Sequence, residues 1–120
     1  MPKIFFPSSK PVFIDAKNVI KEFRAVALKT AKHNARIKAV YLFGSYARGN
    51  PGLHSDADIL VVLSHDSRRM IDRMDEFILE FSGGPVPADV LVYTKKELEE
   101  AIRRGNRFLA RAVREGIRLV

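Results

Sequence analysis

The sequence predicts an α/β (α+β) fold, a small mixed β-sheet of three to four strands with helices packed against it. Three observations predict it. Apolar runs at 37–43, 59–63 and 88–93 are short and rich in Val, Ile, Leu and aromatic residues, as strands are. The stretches between and after them repeat apolar residues at helical spacing. Capping residues, Gly or Pro mark most of the junctions.

Taken in order, residues 1–12 hold three prolines and two serines and are expected to form an irregular lead-in. Asp15 is placed to cap a first helix, whose apolar face is Ala16, Val19, Ile20, Phe23, Ala27 and Ala31; Lys17, Lys21, Glu22 and Lys29 face outward. Residues 37–43 form the first strand, stopped by Gly44. Tyr46-Ala47-Arg48 forms a short helical turn before Gly49, Pro51 and Gly52. The second strand, 59–63, is apolar on both faces and therefore central. Ser64, Asp66 or Ser67 caps the next helix, with Met70, Ile71, Met74, Phe77, Ile78 and Phe81 inward and Asp72, Arg73, Asp75 and Glu76 outward. Gly83-Gly84-Pro85 ends it. The third strand, 88–93, leads into Thr94-Lys95-Lys96-Glu97, which has capping-box form. That helix buries Leu98, Ala101 and Ile102 and closes at Gly105. Asn106 caps a last helix bearing Phe108, Leu109, Ala112 and Val113, and residues 117–120 add a short edge strand.

The whole of residues 1–120 is expected to be one domain, long enough to bury a core. No apolar run reaches the ~20 residues of a membrane span. The first residues lack the apolar stretch and cleavage site of a secretory signal. Cysteine is absent, which excludes disulfides and thiolate metal sites. Together these point to a cytoplasmic protein. The net charge of +7, from 21 Lys+Arg against 14 Asp+Glu, favours polyanionic partners such as nucleotides. The basic residues are dispersed, with no basic tail or aromatic-interleaved tract, so nucleic acid is a less favoured partner.

The chemistry concentrates between Gly44 and Asp58. Asp56 and Asp58 stand two apart on an extended segment, so both carboxylates project from the same face, about 6.5–7 Å apart. Such a pair repels unless a cation intervenes. Oxygen ligands without cysteine suit a hard ion, Mg²⁺ or Mn²⁺. Asp89 opens the third strand; if that strand lies beside the second, about 4.8 Å away, Asp89 reaches the same face. Three such carboxylates suit a two-metal phosphoryl displacement. Gly44 lets backbone approach a phosphate, Ser45 and the amides after it can donate to phosphate oxygens, Arg48 offers a forked donor, and Gly49 relieves crowding. Each feature alone has an ordinary explanation: a solvated turn, a strand-edge charge, a loop. Gly44 and Gly49 have P-loop spacing, but Asn50-Pro51 stands where that motif needs Lys and Ser/Thr. His54 has no second His at ligand spacing and is taken as a loop residue.

Together these residues resemble a known family. Gly44-Ser45, ten residues, then Asp56-Ala57-Asp58 is the signature of the DNA polymerase β-like nucleotidyltransferase superfamily. The fuller string from Gly44 to Ile59 is similar to its smallest members, the minimal nucleotidyltransferases of HEPN/MNT toxin–antitoxin pairs. Asp89 stands where that family has its third carboxylate. The tail, Lys95-Lys96-Glu97-Leu98 and Ala112 to Ile117, is also similar. The likeness runs from about Ala16 to the C-terminus.

The resemblance implies transfer of a nucleoside monophosphate, commonly AMP from ATP, to a hydroxyl, with release of pyrophosphate. Asp56 and Asp58 would bind Mg²⁺; Asp89 would bind the catalytic metal and help activate the acceptor. Gly44, Ser45, Arg48 and Gly49 would hold the nucleotide. It further implies a helical HEPN-type toxin as partner, with this chain as antitoxin, and a homo-oligomer is left open. The competing readings are a non-catalytic module that neutralises a helical partner, and a basic nucleic-acid binder.

Overall fold

The computed structural model describes residues 15–52 and 56–120; the expected lead-in and the loop residues His54 and Ser55 lie outside them. The described elements are α1 (Ala16–His33), β1 (Ile37–Phe43), β2 (Ala57–Leu63), α2 (Met70–Phe81), β3 (Ala88–Thr94), α3 (Lys95–Arg103), α4 (Arg107–Glu115) and β4 (Ile117–Arg118). The strands form one mixed sheet in the order β3-β2-β1-β4. β1 runs antiparallel to both β2 and β4, while β2 and β3 are parallel and joined through α2. Among the described residues, no helix is long and apolar enough to cross a membrane.

The alternation of each strand sends its side chains to two apolar layers. On one face Val40, Leu42, Ile59, Val61, Leu63, Val90 and Val92 meet Val19, Phe23 and Ala27 of α1 and Phe77 and Phe81 of α2. On the other, Ala39, Phe43, Leu60 and Val62 meet Leu98 of α3 and Leu109 and Ala112 of α4. β2 is covered on both sides, which is why its sequence shows no polar alternation after Asp58.

Local signals set most boundaries. Asp15 accepts from the amides of Lys17 and Asn18 at 3.0 and 3.4 Å. Thr94 and Glu97 complete the reciprocal box, with Glu97 N donating to Thr94 Oγ1 at 3.1 Å and Thr94 N to the Glu97 carboxylate at 2.9 Å. Asn106 accepts from Leu109 N at 3.0 Å. β2 begins two residues earlier than its apolar run, because Ala57 N donates to Pro87 O at 2.8 Å and so ties the acidic segment to the start of β3.

Helix α2 departs from the sequence reading in three ways. Its N-cap is Arg69, which makes no side-chain capping bond and instead donates to the Asp72 carboxylate, so none of Ser64, Asp66 and Ser67 caps it. Asp66 is occupied elsewhere: it accepts from Arg68 N and pairs with Arg36 and Arg68, each at 2.6 Å. Ile71 and Ile78 are 59% and 41% exposed, whereas Arg73, expected outside, is 4% exposed. Arg73 lies four residues before Phe77 and eight before Phe81, so helical geometry turns it inward with them. Its charge is met there. The guanidinium donates to both carboxylate oxygens of Glu97, at 2.6 and 3.0 Å, and to the carbonyls of Arg68 and Asp66.

Glu97 thus caps α3 and anchors Arg73 of α2, linking helices from opposite faces of the sheet where β2 and β3 end. The Arg73 guanidinium holds the Glu97 carboxyl below its ordinary range. Arg36, Arg68 and Glu76 extend the network around Asp66.

Replacing Arg73 with Ala leaves the carbonyls and Glu97 without this donor and is expected to cost about 2–3 kcal/mol in urea unfolding. The hydrogen bonds of Arg68 hold the Asp66 carboxyl far below the ordinary carboxylate range. A depressed acid stabilises fully above its unfolded value, near pH ~3.9, and loses that contribution as pH falls towards its folded value. Asp66→Asn should therefore lower the urea midpoint at neutral pH, and the gap from wild type should shrink as pH drops below about 4.

Candidate active site

The site lies at the opposite end of the sheet from the arginine network, where β1 ends and β2 and β3 begin. Register brings its parts together. Asp58 is paired with Phe43, the last residue of β1, on one side and with Asp89 of β3 on the other. Because β2 and β3 are parallel and in step, Asp58 and Asp89 project from the same face, that of α3 and α4. Asp56, two residues before Asp58, shares its parity.

Asp58 senses the other two carboxylates. The Asp58 carboxyl is raised above the ordinary range, first by burial, then by the charges of Asp89 and Asp56, against a smaller opposing pull from Arg48. Asp56 and Asp89 are exposed. Like-charge repulsion opposes tighter convergence. Among the described residues no group of three or more acidic, His or Cys side chains stands close enough to form a ready metal cage. The donor chemistry nonetheless fits a hard divalent cation: oxygen ligands only, surplus negative charge, and one half-buried carboxylate destabilised by its neighbours.

Gly44 faces this shelf. Its φ is +79°, and a Cβ there would run into Oδ2 of Asp58, with Cγ 3.2 Å away. Only glycine lets the turn sit directly against the carboxylate. The turn is closed by Arg48 N donating to Gly44 O at 3.1 Å, Gly49 N to Tyr46 O at 3.2 Å and Asn50 N to Ser45 O at 3.1 Å. Tyr46 is wholly buried and anchors the turn in the α1/α2 layer. That leaves Ser45 half-buried and Arg48 exposed at the shelf. Gly49 also has φ +79°, but a Cβ there would meet nothing within 4 Å. The crowding expected at Gly49 is therefore absent; the turn's left-handed backbone is its reason.

A cleft of about 180 Å³ opens beside Asp58, lined by Phe43, Gly44, Ala47 and Arg48 and, across from them, by α4. The helix presents Phe108, Arg111, Ala112 and Glu115 to it. Spacing of i, i+3, i+4 and i+7 puts these four on one face. Phe108, one of the apolar residues borne by this helix, is 59% exposed, its ring held edge-to-face against Phe43 at 5.6 Å and 85°. Sequence reasoning missed this wall because its residues are of mixed character; the helical spacing was the available signal.

A strand-held acidic shelf facing a Gly-Ser turn, on a mixed sheet with helices on both faces, defines a domain of the nucleotidyltransferase class. Residues 24–116 match the nucleotidyltransferase domain family, and the chain belongs to it. Two presumed protein adenylyltransferases of Methanocaldococcus jannaschii are similar. One is 43% identical over 68 residues, covering 57% of this chain and 66% of its own. The other is 36% identical over 67 residues, covering 53% and 44%. The chain thus spans less than two thirds of each relative's length. A Sulfolobus solfataricus crystal structure described as a presumed nucleotidyltransferase superposes with a TM-score of 0.59 at 27% identity, over 71% of this chain and 75% of that one. A mutant of the toxin–antitoxin MntA–HpeT gives 0.52 at 26% identity, over 78% and 68%. The resemblance read from Gly44 to Ile59 and the mixed-sheet expectation both agree with these likenesses.

Gly44→Ala is expected to destabilise the fold by about 1–3 kcal/mol, since it adds a clash to the left-handed backbone, whereas Gly49→Ala carries the backbone cost alone, about 1 kcal/mol. Thermal unfolding of the two variants side by side measures the difference.

Proposed function

We propose that this chain is a divalent-metal-dependent nucleotidyltransferase that moves AMP from ATP to a hydroxyl of a partner protein. The observation that carries this reading is Asp58 in register beside Asp89, beneath a glycine whose missing side chain leaves room for the Asp58 carboxylate. An acidic shelf so close to a Gly-Ser turn suits a triphosphate whose charge is bridged to the carboxylates by cations.

Each residue has a role in this reading. Asp56 and Asp58 would hold Mg²⁺, or Mn²⁺ in its place, and Asp89 would add the third carboxylate. The bound ions would neutralise triphosphate charge and acidify the acceptor hydroxyl. Gly44 and Ser45 receive the phosphates, Gly49 shapes the turn, and Arg48, exposed above Asp58, offers its guanidinium to phosphate oxygens. Asp89 accepts the proton as the acceptor oxygen bonds to the α-phosphorus. The bond from that phosphorus to the bridging oxygen breaks, and pyrophosphate leaves.

The likeness to protein adenylyltransferases supports a protein acceptor, and the likeness to MntA–HpeT supports an antitoxin role with a toxin partner, of the HEPN type by the sequence resemblance. The purified protein, ATP labelled at the α-phosphate, Mg²⁺ and a HEPN-type helical protein as candidate partner provide the test. Label on the partner is the expected result. A tight complex that stays unlabelled with either metal would mark a non-catalytic neutraliser instead.

Asp58→Asn should lower transfer by about a hundredfold or more. The same change removes a half-buried, repelled charge, so it should leave metal-free thermal stability unchanged or raised. Calorimetry and labelling on one preparation separate these effects.

A further inference from the structure

The proposed transfer chemistry uses only one side of the cleft. Gly44, Arg48 and Asp58 form its charged end; the α4 face across from them is given no role in that chemistry. That face carries Phe108, a large aromatic left mostly exposed. Phe43 holds its ring at 85°, so the ring is positioned before any ligand arrives. Ala112 keeps the surface behind it shallow, and the Arg111 guanidinium lies on the same wall, tied to Glu115 at 2.9 Å.

We propose that the Phe108 face of α4 is the nucleobase subsite, with Phe108 stacking on the base and Arg111 flanking it. This rests on the nucleotidyltransferase reading and adds to it the part of the site that holds the base. The charged and aromatic ends belong to one continuous cleft, and a nucleotide is a ligand whose anionic and planar aromatic parts are joined in that way. At about 180 Å³ the cleft is below the ~300 Å³ at which small-molecule sites begin, so it holds part of a nucleoside triphosphate and not all of it. Stacking on an aromatic ring accepts any base, since every base offers a π-face. The subsite therefore supplies affinity for the base, and purines, with the larger ring system, gain most.

Titration calorimetry of the full chain in Mg²⁺, with ATP and separately with tripolyphosphate, tests this. Phe108→Ala should weaken ATP binding about tenfold to a hundredfold and leave tripolyphosphate binding unchanged. Phe108→Trp should restore ATP binding. Phe108→Leu keeps apolar bulk against Phe43 and should still bind ATP more weakly than wild type. Arg48→Ala, by contrast, should weaken both ligands. Undiminished ATP binding by Phe108→Ala overturns the proposal, including the case in which only transfer to the partner slows, because the ring then serves the acceptor. Equal losses for ATP and tripolyphosphate overturn it too. If wild type binds neither ligand, the nucleotidyltransferase reading itself fails, an outcome distinct from the others.

Discussion

The site depends on the parallel register of β2 against β3. With Asp58 opposite Asp89, two carboxylates from distant parts of the sequence share one face of the sheet. Side chains alternate along a strand, so a slip of one residue would turn Asp89 towards α1 and α2 and bring Val90 or Ala88 beside Asp58. The apolar pattern forbids that slip. Val90 and Val92 belong to one layer and Leu91 and Tyr93 to the other, and exchanging them would mismatch both. The core is thus what aligns the acids.

The two ends of the sheet differ in charge balance. Where β2 and β3 finish, Arg36, Arg68 and Arg73 balance Asp66, Glu76 and Glu97, and every carboxylate of that network is bound by a guanidinium. Where those strands begin, Asp56, Asp58 and Asp89 have Arg48 as the cation acting on Asp58. Repulsion at one end is tolerable because the strands are pinned at the other, by Arg73 reaching from α2 to the cap of α3. The arginine network and the acidic shelf are spatially divided, and a change at Arg73 need not alter the shelf directly.

Much of this was legible in the sequence because the signals were local. Asp15, Thr94 with Glu97, and Asn106 act on amides within three residues, so their roles follow from spacing alone. The approach of Gly44 to Asp58 was legible through a fixed spacing between turn and strand. Arg73 was not, since its partner Glu97 lies 24 residues away, and residue type suggested the opposite face. Ile71 and Ile78 misled for the same reason: their apolar character outweighed an angular position that puts them outside. For Phe108 and Leu109 the sequence named two apolar neighbours, and only the sheet shows which arc of α4 it covers.

Gly116 carries a consequence for how the cleft behaves. A methyl group there would strike the carbonyl of Ala112 and come within 3.0 Å of Leu42 O and 3.4 Å of Phe43 Cβ. The last turn of α4 is consequently seated on β1 backbone to backbone, and β4 follows at once as the sheet's edge. Backbone contact at position 116, with no room for a side chain between, therefore sets the distance from the foot of α4 to β1 and with it the width of the cleft at that end.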